Sequence, residues 1–285
     1  MGTQFTLAEF KDFAKNSLKN IYPTWEIENI IYLIFEKQLN IKKIDALLNN
    51  KSTIPQEKID ELLSIVDELK KRKPIQYILG ETEFYDLTIK TDEQTLIPRQ
   101  ETEELVDWII RNEQGGTKKI VDIGTGTGCI AIALAKFLPQ SNVEGIDFNE
   151  AIIRKAAENA RLNHVNVRFF VLNILEEELS KQDYDIIVSN PPYVRISEKK
   201  MMHGNVLEYE PEEALFVQDD DPLIFYQRIA KIAGNHLNPK GVIYFEINEY
   251  FDHEVIQLLK KNDFVDVTLK RDINNKPRMI KATKQ

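Results

Sequence analysis

Ser189-Asn190-Pro191-Pro192-Tyr193 is the stretch whose residue types and spacing point most directly to chemistry. It follows Tyr184-Asp185-Ile186-Ile187-Val188, an apolar, β-branched run that reads as a buried strand. Proline supplies no N–H, so an Asn followed by two prolines ends the ladder. The residue before a proline is driven to extended backbone. The corner is therefore stiff, and carbonyls that a sheet would have used are free. An amide oxygen, rigid carbonyls and an aromatic face make a seat for a planar amino group on a trigonal carbon. The Asn190 oxygen and the Pro191 carbonyl would accept its two N–H bonds. Pro192 and Tyr193 complete the seat, with the Tyr193 ring packed on the plane of the group. Taken alone, the tetrapeptide also fits a plain proline-rich turn, with Tyr193 closing it.

A second constellation lies upstream. Lys119-Ile120-Val121-Asp122-Ile123 reads as a strand, and Gly124-Thr125-Gly126-Thr127-Gly128 turns it into an Ala-rich helix from Cys129 to Leu138. Glycines permit positive φ and close approach of backbone to a ligand. The helix N-terminus favours a carboxylate or phosphate. The next strand, Asn142 to Ile146, ends in Asp147. This acid lies about 20 residues beyond the glycine loop, where a carboxylate can grip ribose hydroxyls. An adenosine-bearing cofactor is indicated. The nicotinamide fingerprint wants Gly or Ala as the sixth residue counted from Gly124, where Cys129 stands. Gly-x-Gly-x-Gly preceded by Asp122 instead resembles the S-adenosylmethionine loop of class I methyltransferases.

The elements that must position these residues alternate. Asn149 or Asp147 caps a helix with Ile152, Ile153, Ala156, Ala157 and Ala160 toward the sheet, and Val167 to Leu172 is a strand. Asn173 and Ile174 follow at the carboxyl edge, where open α/β sheets bind ligands. They either take the adenine amino group and ring face, or serve as a loop Asn and a core Ile. Pro222 to Leu237 reads as a helix, Val242 to Ile247 as a strand and His253 to Lys261 as a helix. Val265 to Leu269 and Met279 to Lys281 read as terminal strands around the loop Arg271 to Arg278. Such alternation predicts an α/β fold with a mostly parallel, doubly wound sheet.

The first third is helical by periodicity. Thr6-Leu7-Ala8-Glu9 has the form of a capping box ahead of Leu7, Phe10, Ala14, Leu18 and Ile21. Thr24 is expected to cap a second helix, Ile41 to Leu48 to form a third, and Pro55 to sit in the first turn of a fourth that Pro74 ends. The apolar stripes of all four, including Ile41, Ile44, Leu47 and Leu48, are expected in a core. Tyr77 to Ile89 suggests short strands or a hairpin, with a domain boundary near residues 75 to 90.

Composition narrows the class. The net charge of −9 disfavours general nucleic-acid binding. The tight basic run Lys70-Lys71-Arg72-Lys73 fits a solvated helix C-terminus. The single cysteine, Cys129, allows no intrachain disulfide. The start of the chain has no signal pattern, and no apolar run reaches the roughly 18 residues of a membrane span. A soluble, cytoplasmic protein is expected, and no residues are assigned to a metal.

Further stretches carry a resemblance across the whole chain. They are Pro74-Ile75-Gln76-Tyr77-Ile78-Leu79-Gly80, Leu96-Ile97-Pro98-Arg99-Gln100-Glu101-Thr102-Glu103-Glu104-Leu105-Val106, Val121 to Cys129, Asp147, Val188 to Val194, and Tyr209-Glu210-Pro211-Glu212-Glu213-Ala214-Leu215. Together they resemble the release factor glutamine methyltransferases (PrmC/HemK). Departures fall at Gln100, where the family usually has Pro, at Asn248, where it has Gly, and at Val217-Gln218, where paired glycines are common. The resemblance implies a small N-terminal all-α domain over 1–75, which binds substrate or partner, and a β-hairpin linker over 76–98. It also implies a Rossmann-like class I methyltransferase domain over 99–285, with a mostly parallel seven-stranded sheet ending in an antiparallel hairpin.

The implied reaction is methyl transfer from S-adenosylmethionine to the glutamine amide nitrogen in the Gly-Gly-Gln loop of peptide chain release factors. Asn190, Pro191 and Tyr193 would be the catalytic residues. Gly124, Thr125, Gly126, Thr127, Gly128, Asp147, Asn173, Ile174 and Asn190 would hold the cofactor. Asn190 to Tyr193 with Arg99, Glu101 and Thr102 would receive the substrate. Arg99, Glu101 and Thr102 equally fit a capped helix start with acids in its first turn. Adenine presents the same planar donor pair as a glutamine amide, so an adenine N6-methyltransferase acting on DNA or RNA is the competing reading. A non-catalytic cofactor-binding module that docks on translation factors is a third.

Overall fold

The computed structural model describes residues 4–180, 183–202 and 204–285. The chain forms two compact units, one of Met1–Gly80 with Gly204–Tyr209, the other of Glu81–His203 with Glu210–Gln285. The first unit is helical: α1 (Leu7–Leu18), α2 (Thr24–Leu39), α3 (Lys43–Leu48), α4 (Gln56–Lys70) and the single turn α5 (Ile75–Leu79). The capping box at α1 closes both ways. The Glu9 N–H donates to Thr6 Oγ1 at 3.2 Å, and the Thr6 N–H donates to Glu9 Oε2 at 2.8 Å. Phe10, Ala14 and Leu18 then pack with Ile31, Phe35, Leu62 and Val66.

Several expectations need correction here. Pro23, not Thr24, is the N-cap of α2, and no side chain caps it. Its carbonyl instead accepts from the Glu26 and Ile27 N–H groups. Pro55 likewise stands just outside α4 rather than in its first turn. In α3 only Ala46 is buried. Ile44, Leu47 and Leu48 are 60%, 51% and 74% exposed, so that stripe is not core. A six-residue helix offers one narrow face to its neighbours, and Ala46 occupies it. Tyr77 to Leu79 are helical rather than extended. Pro74 precedes α5 and Gly80, at φ +75°, ends it after one turn.

The second unit opens with a hairpin, β1 (Glu81–Phe84) and β2 (Leu87–Lys90). Its turn residues Tyr85 and Asp86 both have positive φ, 49° and 60°. That is the twist a two-residue hairpin loop requires, although neither residue is glycine. Glu103 and Asp107 hold Tyr85 there, by its N–H and its hydroxyl. Next come α6 (Gln100–Asn112), β3 (Lys119–Ile123), α7 (Cys129–Phe137), β4 (Asn142–Asp147), α8 (Glu150–Leu162), β5 (Val167–Val171) and β6 (Tyr184–Ser189). The short strands β7 (Val194–Arg195) and β8 (Phe216–Val217) pair with each other. Between them α9 (Gly204–Tyr209) belongs to the first unit, where Tyr209 donates to the Lys71 carbonyl. The chain ends with α10 (Ile224–His236), β9 (Leu237–Glu246), α11 (Asp252–Lys261), β10 (Phe264–Arg271) and β11 (Pro277–Lys284).

The seven-stranded sheet has the order β10-β11-β9-β6-β3-β4-β5. β9, β6, β3, β4 and β5 are mutually parallel, and β11 runs against both β9 and β10. One face is covered by a core that includes Leu105, Ile109, Ile130 and Leu134 from α6 and α7. The other is covered by one that includes Tyr226, Ile229, Val255 and Leu259 from α10 and α11. From β3 the chain winds outward through β4 to β5, then returns to β6 on the other side. The switch point between β3 and β6 opens a crevice at the carboxyl ends of the strands, the preferred ligand position in such sheets.

Gly128 shows why the turn into α7 is built from glycine. Its φ is +83°, and a Cβ there would sit 3.1 Å from Ala156 Cβ and 3.1 Å from Ile132 Cδ1. A Cβ at Gly126, where φ is +53°, would meet nothing within 4 Å. Gly128→Ala is expected to lower unfolding free energy by about 2 kcal/mol, backbone strain and overpacking together. Gly126→Ala should cost about half that. Urea midpoints of the two variants check the order, and equal losses would show that packing against α8 contributes nothing.

Candidate active site

Strand register brings the predicted residues together. Ile123 pairs with Ile146 on one side and with Ser189 on the other. One residue further along, Gly124 therefore stands between Asp147 and Asn190. Ser189 in turn pairs with Phe245, which puts Asn190 beside Glu246. The Ser189 hydroxyl donates to the Ile123 carbonyl at 2.7 Å and ties the two strand ends. A cavity of about 420 Å³ opens there.

Its floor is the glycine turn. The Gly124 and Thr125 N–H groups both donate to the Ile146 carbonyl at 2.9 Å. The Gly126 N–H donates to Asp147 Oδ2 at 3.0 Å. Asp147 is 7% exposed, and its other oxygen has no partner. Burial raises the Asp147 carboxyl, against the pull of the Gly126 N–H. A buried acceptor without a partner on a residue that lines a cavity marks a place where a ligand donor such as a hydroxyl could be taken up. Asp122 lies beneath, fully buried, with one oxygen accepting from Thr125 Oγ1 at 2.6 Å and the other unpaired. Burial pushes its carboxyl up to about 7. Burial also pushes the Cys129 thiol up to about 12, which leaves it protonated and inert.

The opposite wall is the Asn-Pro-Pro corner. Asn190 Nδ2 donates to Thr102 Oγ1 at 3.2 Å, and Thr102 Oγ1 donates to Glu246 Oε2 at 2.6 Å. The Tyr193 hydroxyl donates to the second Glu246 oxygen at 3.0 Å. Arg99, also in the lining, pairs with the buried Glu210 at 2.5 Å, while the Ile97 N–H reaches the same carboxylate at 3.4 Å.

Of the residues singled out by sequence, Gly124, Thr125, Gly126, Thr127, Asp147, Asn173 and Ile174 line this cavity, as do Asn190, Pro191, Pro192, Arg99 and Thr102. Gly128, Glu101 and Tyr193 lie outside its lining. Gly128 is the N-cap of α7, and the Tyr193 ring packs against the core under α10. Asn173 Oδ1 accepts from the Leu175 N–H at 3.2 Å, so it also shapes its own turn. Sequence reasoning missed Phe148, which lines the cavity and is 53% exposed. An aromatic directly after the strand-terminal acid was the available signal. It also missed Glu246, the acid that ends the hydrogen-bond chain behind Asn190.

The sheet order with one reversed strand, and the glycine turn facing a strand-terminal acid, define a class I methyltransferase domain. The family model "Methyltransferase small domain" matches residues 101–213. A solved methyltransferase from Pyrococcus furiosus shares the fold, with a TM-score of 0.51 at 17% identity over 80% of this chain and 98% of that one. So does the Thermus thermophilus 16S rRNA methyltransferase solved with AdoMet and guanosine, with a TM-score of 0.51 at 17% identity over 72% of this chain and 50% of that one.

The family model "PrmC N-terminal domain" matches residues 12–80. The release factor glutamine methyltransferase of Flavobacterium psychrophilum is 47% identical over 93% of this chain and 95% of its own length. That of Bacteroides thetaiotaomicron is 39% identical over 95% of this chain and 98% of its own. The chain belongs to the release factor glutamine methyltransferase family. It is an S-adenosylmethionine-dependent methyltransferase, and the cavity fits that cofactor. Asp147 offers an unpaired buried oxygen for a hydroxyl, and Gly124 and Gly126 leave open space where side chains would stand. No helix among the described residues is long and apolar enough to cross a membrane.

Two outcomes follow from the buried acids. Asp147→Ala is expected to weaken S-adenosylmethionine binding about 10- to 100-fold, the worth of a hydrogen bond to a charged group, measurable by calorimetry. For Asp122, the folded state keeps a proton between pH 3.8 and about 7 that the unfolded chain has released. Its contribution therefore destabilises progressively as pH rises through that window and then levels off. Asp122→Asn should remove this slope, gaining about 2 kcal/mol on the parent between pH 5.5 and 7.5 in urea melts. Parallel pH profiles for the two proteins would show that Asp122 ionises normally.

Proposed function

We propose that the protein transfers a methyl group from S-adenosylmethionine to the side-chain amide nitrogen of the glutamine in the Gly-Gly-Gln loop of class 1 release factors. The observation that carries this is the position of the Asn190 carboxamide, one strand over from the glycine turn and opening on the same cavity. Its relatives named release factor glutamine methyltransferase, alike along most of the chain, support glutamine over adenine as the acceptor. The setting would be the cytoplasm, where release factors work.

The bound cofactor supplies an electrophilic methyl on a positively charged sulfur. The protein's task is the nucleophile, because an amide nitrogen has its lone pair delocalised into the carbonyl. In this proposal Asn190 Oδ1 and the Pro191 carbonyl accept the two N–H bonds and aim the nitrogen face at the methyl. Holding the reactants in line removes the entropy of encounter and keeps water from the gap. As the N–CH₃ bond forms and the S–CH₃ bond breaks, positive charge grows on nitrogen. The same two oxygens stabilise it, the inverse of an oxyanion hole. The N-alkylated amide cation is strongly acidic and loses a proton to water, so no dedicated base is assigned.

Asp147 would hold the ribose hydroxyls, with Asn173 and Ile174 at the adenine. Pro192 would line the seat, and Arg99 would guard the entrance with Thr102 beside it. Glu101 would sit at the rim. Tyr193 would secure the corner from behind, through Glu246. The helical unit would engage the release factor.

Asn190→Ala is expected to cut transfer about 10²- to 10³-fold while cofactor affinity changes far less. Mass spectrometry of the Gly-Gly-Gln loop after incubation with enzyme and cofactor reads the added methyl. Transfer at the parent rate would refute the assigned role, and a loop left unmodified by the parent protein would refute the substrate.

A further inference from the structure

A carboxamide has two ends of nearly the same shape and opposite hydrogen-bond character. The proposed reaction, on which this inference rests, needs the oxygen of Asn190 toward the substrate. A half-turn about the last bond would present N–H to N–H and lose the contact. The corner prolines fix the backbone but not that choice.

We propose that Glu246 and Thr102 form a positioning pair that dictates which end of the Asn190 carboxamide faces the cavity. Glu246 is 1% exposed and Thr102 is 3% exposed. The Glu246 carboxylate accepts from Thr102 Oγ1 at 2.6 Å with one oxygen and from the Tyr193 hydroxyl at 3.0 Å with the other. An ionised carboxylate only accepts. Thr102 must therefore spend its single proton on Glu246 and turns lone pairs toward Asn190. Only the Nδ2 end can satisfy them, and it donates to Thr102 Oγ1 at 3.2 Å. The oxygen is left for the cavity.

In its ionised form Glu246 fixes this polarity. Burial raises the Glu246 carboxyl overall, and the Thr102 and Tyr193 hydroxyls and the charge of Arg278 oppose the rise. Arg278 is itself held by Asp272 and the Ile247 carbonyl. Burial raises the Tyr193 phenol and keeps its proton in place as the second donor. The Tyr226 hydroxyl donates to the Glu246 backbone carbonyl at 3.1 Å and pins the strand end that carries the acid. The pair is assembled from distant parts of the chain, since Thr102 lies in the first turn of α6 and Glu246 at the last residue of β9.

The test compares Thr102→Val, which keeps shape but neither accepts nor donates, with Thr102→Ser, which does both. With a release factor as acceptor, Thr102→Val should lower kcat about 10- to 100-fold with KM and cofactor affinity within a few-fold of the parent. Thr102→Ser should recover most of the rate. In an Asn190→Ala background, Thr102→Val should cost nothing further, because the residue it orients is gone. A valine variant near the parent rate, or a loss that persists undiminished in the Asn190→Ala background, would overturn the proposal. A readout free of the substrate assignment is the Asn190 side-chain NH₂ signal in ¹⁵N NMR, identified by its loss in Asn190→Ala. It should move in Thr102→Val and stay in Thr102→Ser. An unmoved signal would sink the positioning pair, whereas a parent enzyme that leaves glutamine unmethylated would sink only the function on which it was built.

Discussion

The pairing of Ser189 with Ile123 on one side and Phe245 on the other decides which residues meet at the carboxyl edge of the sheet. Parallel strands in register end together, so residues one step beyond them are neighbours however far apart they lie in sequence. Gly124, Asp147, Asn190 and Glu246 are each at or just past a strand end. A shift of one residue in β6 would turn Asn190 away from the crevice and point its neighbours into it. The Ser189 hydroxyl, bonded to the Ile123 carbonyl, guards that register at the place where it matters.

The same crowding of strand ends explains an unfavourable feature. Asp122, Asp147 and Glu246 are carboxylates in places where water is scarce, and burial raises all three. Buried acids are ordinarily paired with cations or fully hydrogen-bonded. Here Asp122 and Asp147 each keep one oxygen without a partner. Asp147 lines the cavity, at the end of β4. Asp122 anchors the turn through Thr125 and faces no ligand, so its cost is borne for the geometry of the glycine loop. Glu246 differs in having both oxygens occupied by hydroxyl donors.

Much of this was legible from the residues. Strand β6 and its proline corner, the glycine turn and Asp147 stand out because each departs sharply from its local pattern. Short elements did not. The five residues Ile75 to Leu79, four of them apolar, carry too little periodicity to separate one helical turn from a strand, and Gly80 fits either ending. The α3 stripe was misleading because Ile44, Leu47 and Leu48 repeat at helical spacing yet face outward. Glu246 was hidden for another reason. An acid at the end of an apolar strand is unremarkable in sequence, and only its register beside Asn190 reveals what it can do. Thr102 was named for the entrance, but its hydroxyl lies deeper, between Asn190 and Glu246.

Two of the stretches that carry the resemblance, Leu96 to Val106 and Tyr209 to Leu215, are joined through Glu210. Its side chain is buried, and its two oxygens take the Ile97 N–H and the Arg99 guanidinium. Arg99 is the residue from which α6 starts, and its carbonyl accepts from the Thr102 and Glu103 N–H groups. Glu210 therefore fixes the origin of the helix whose first turn delivers Thr102 to Asn190. On the other flank, the buried Asn159 bonds both backbone groups of Lys90 and reaches the glycine turn by donating to the Thr127 carbonyl. The cavity is thus braced from two flanks, by a buried acid at the start of α6 and a buried amide behind the glycine turn. Neither needs to touch a reacting atom for the seat to hold its shape.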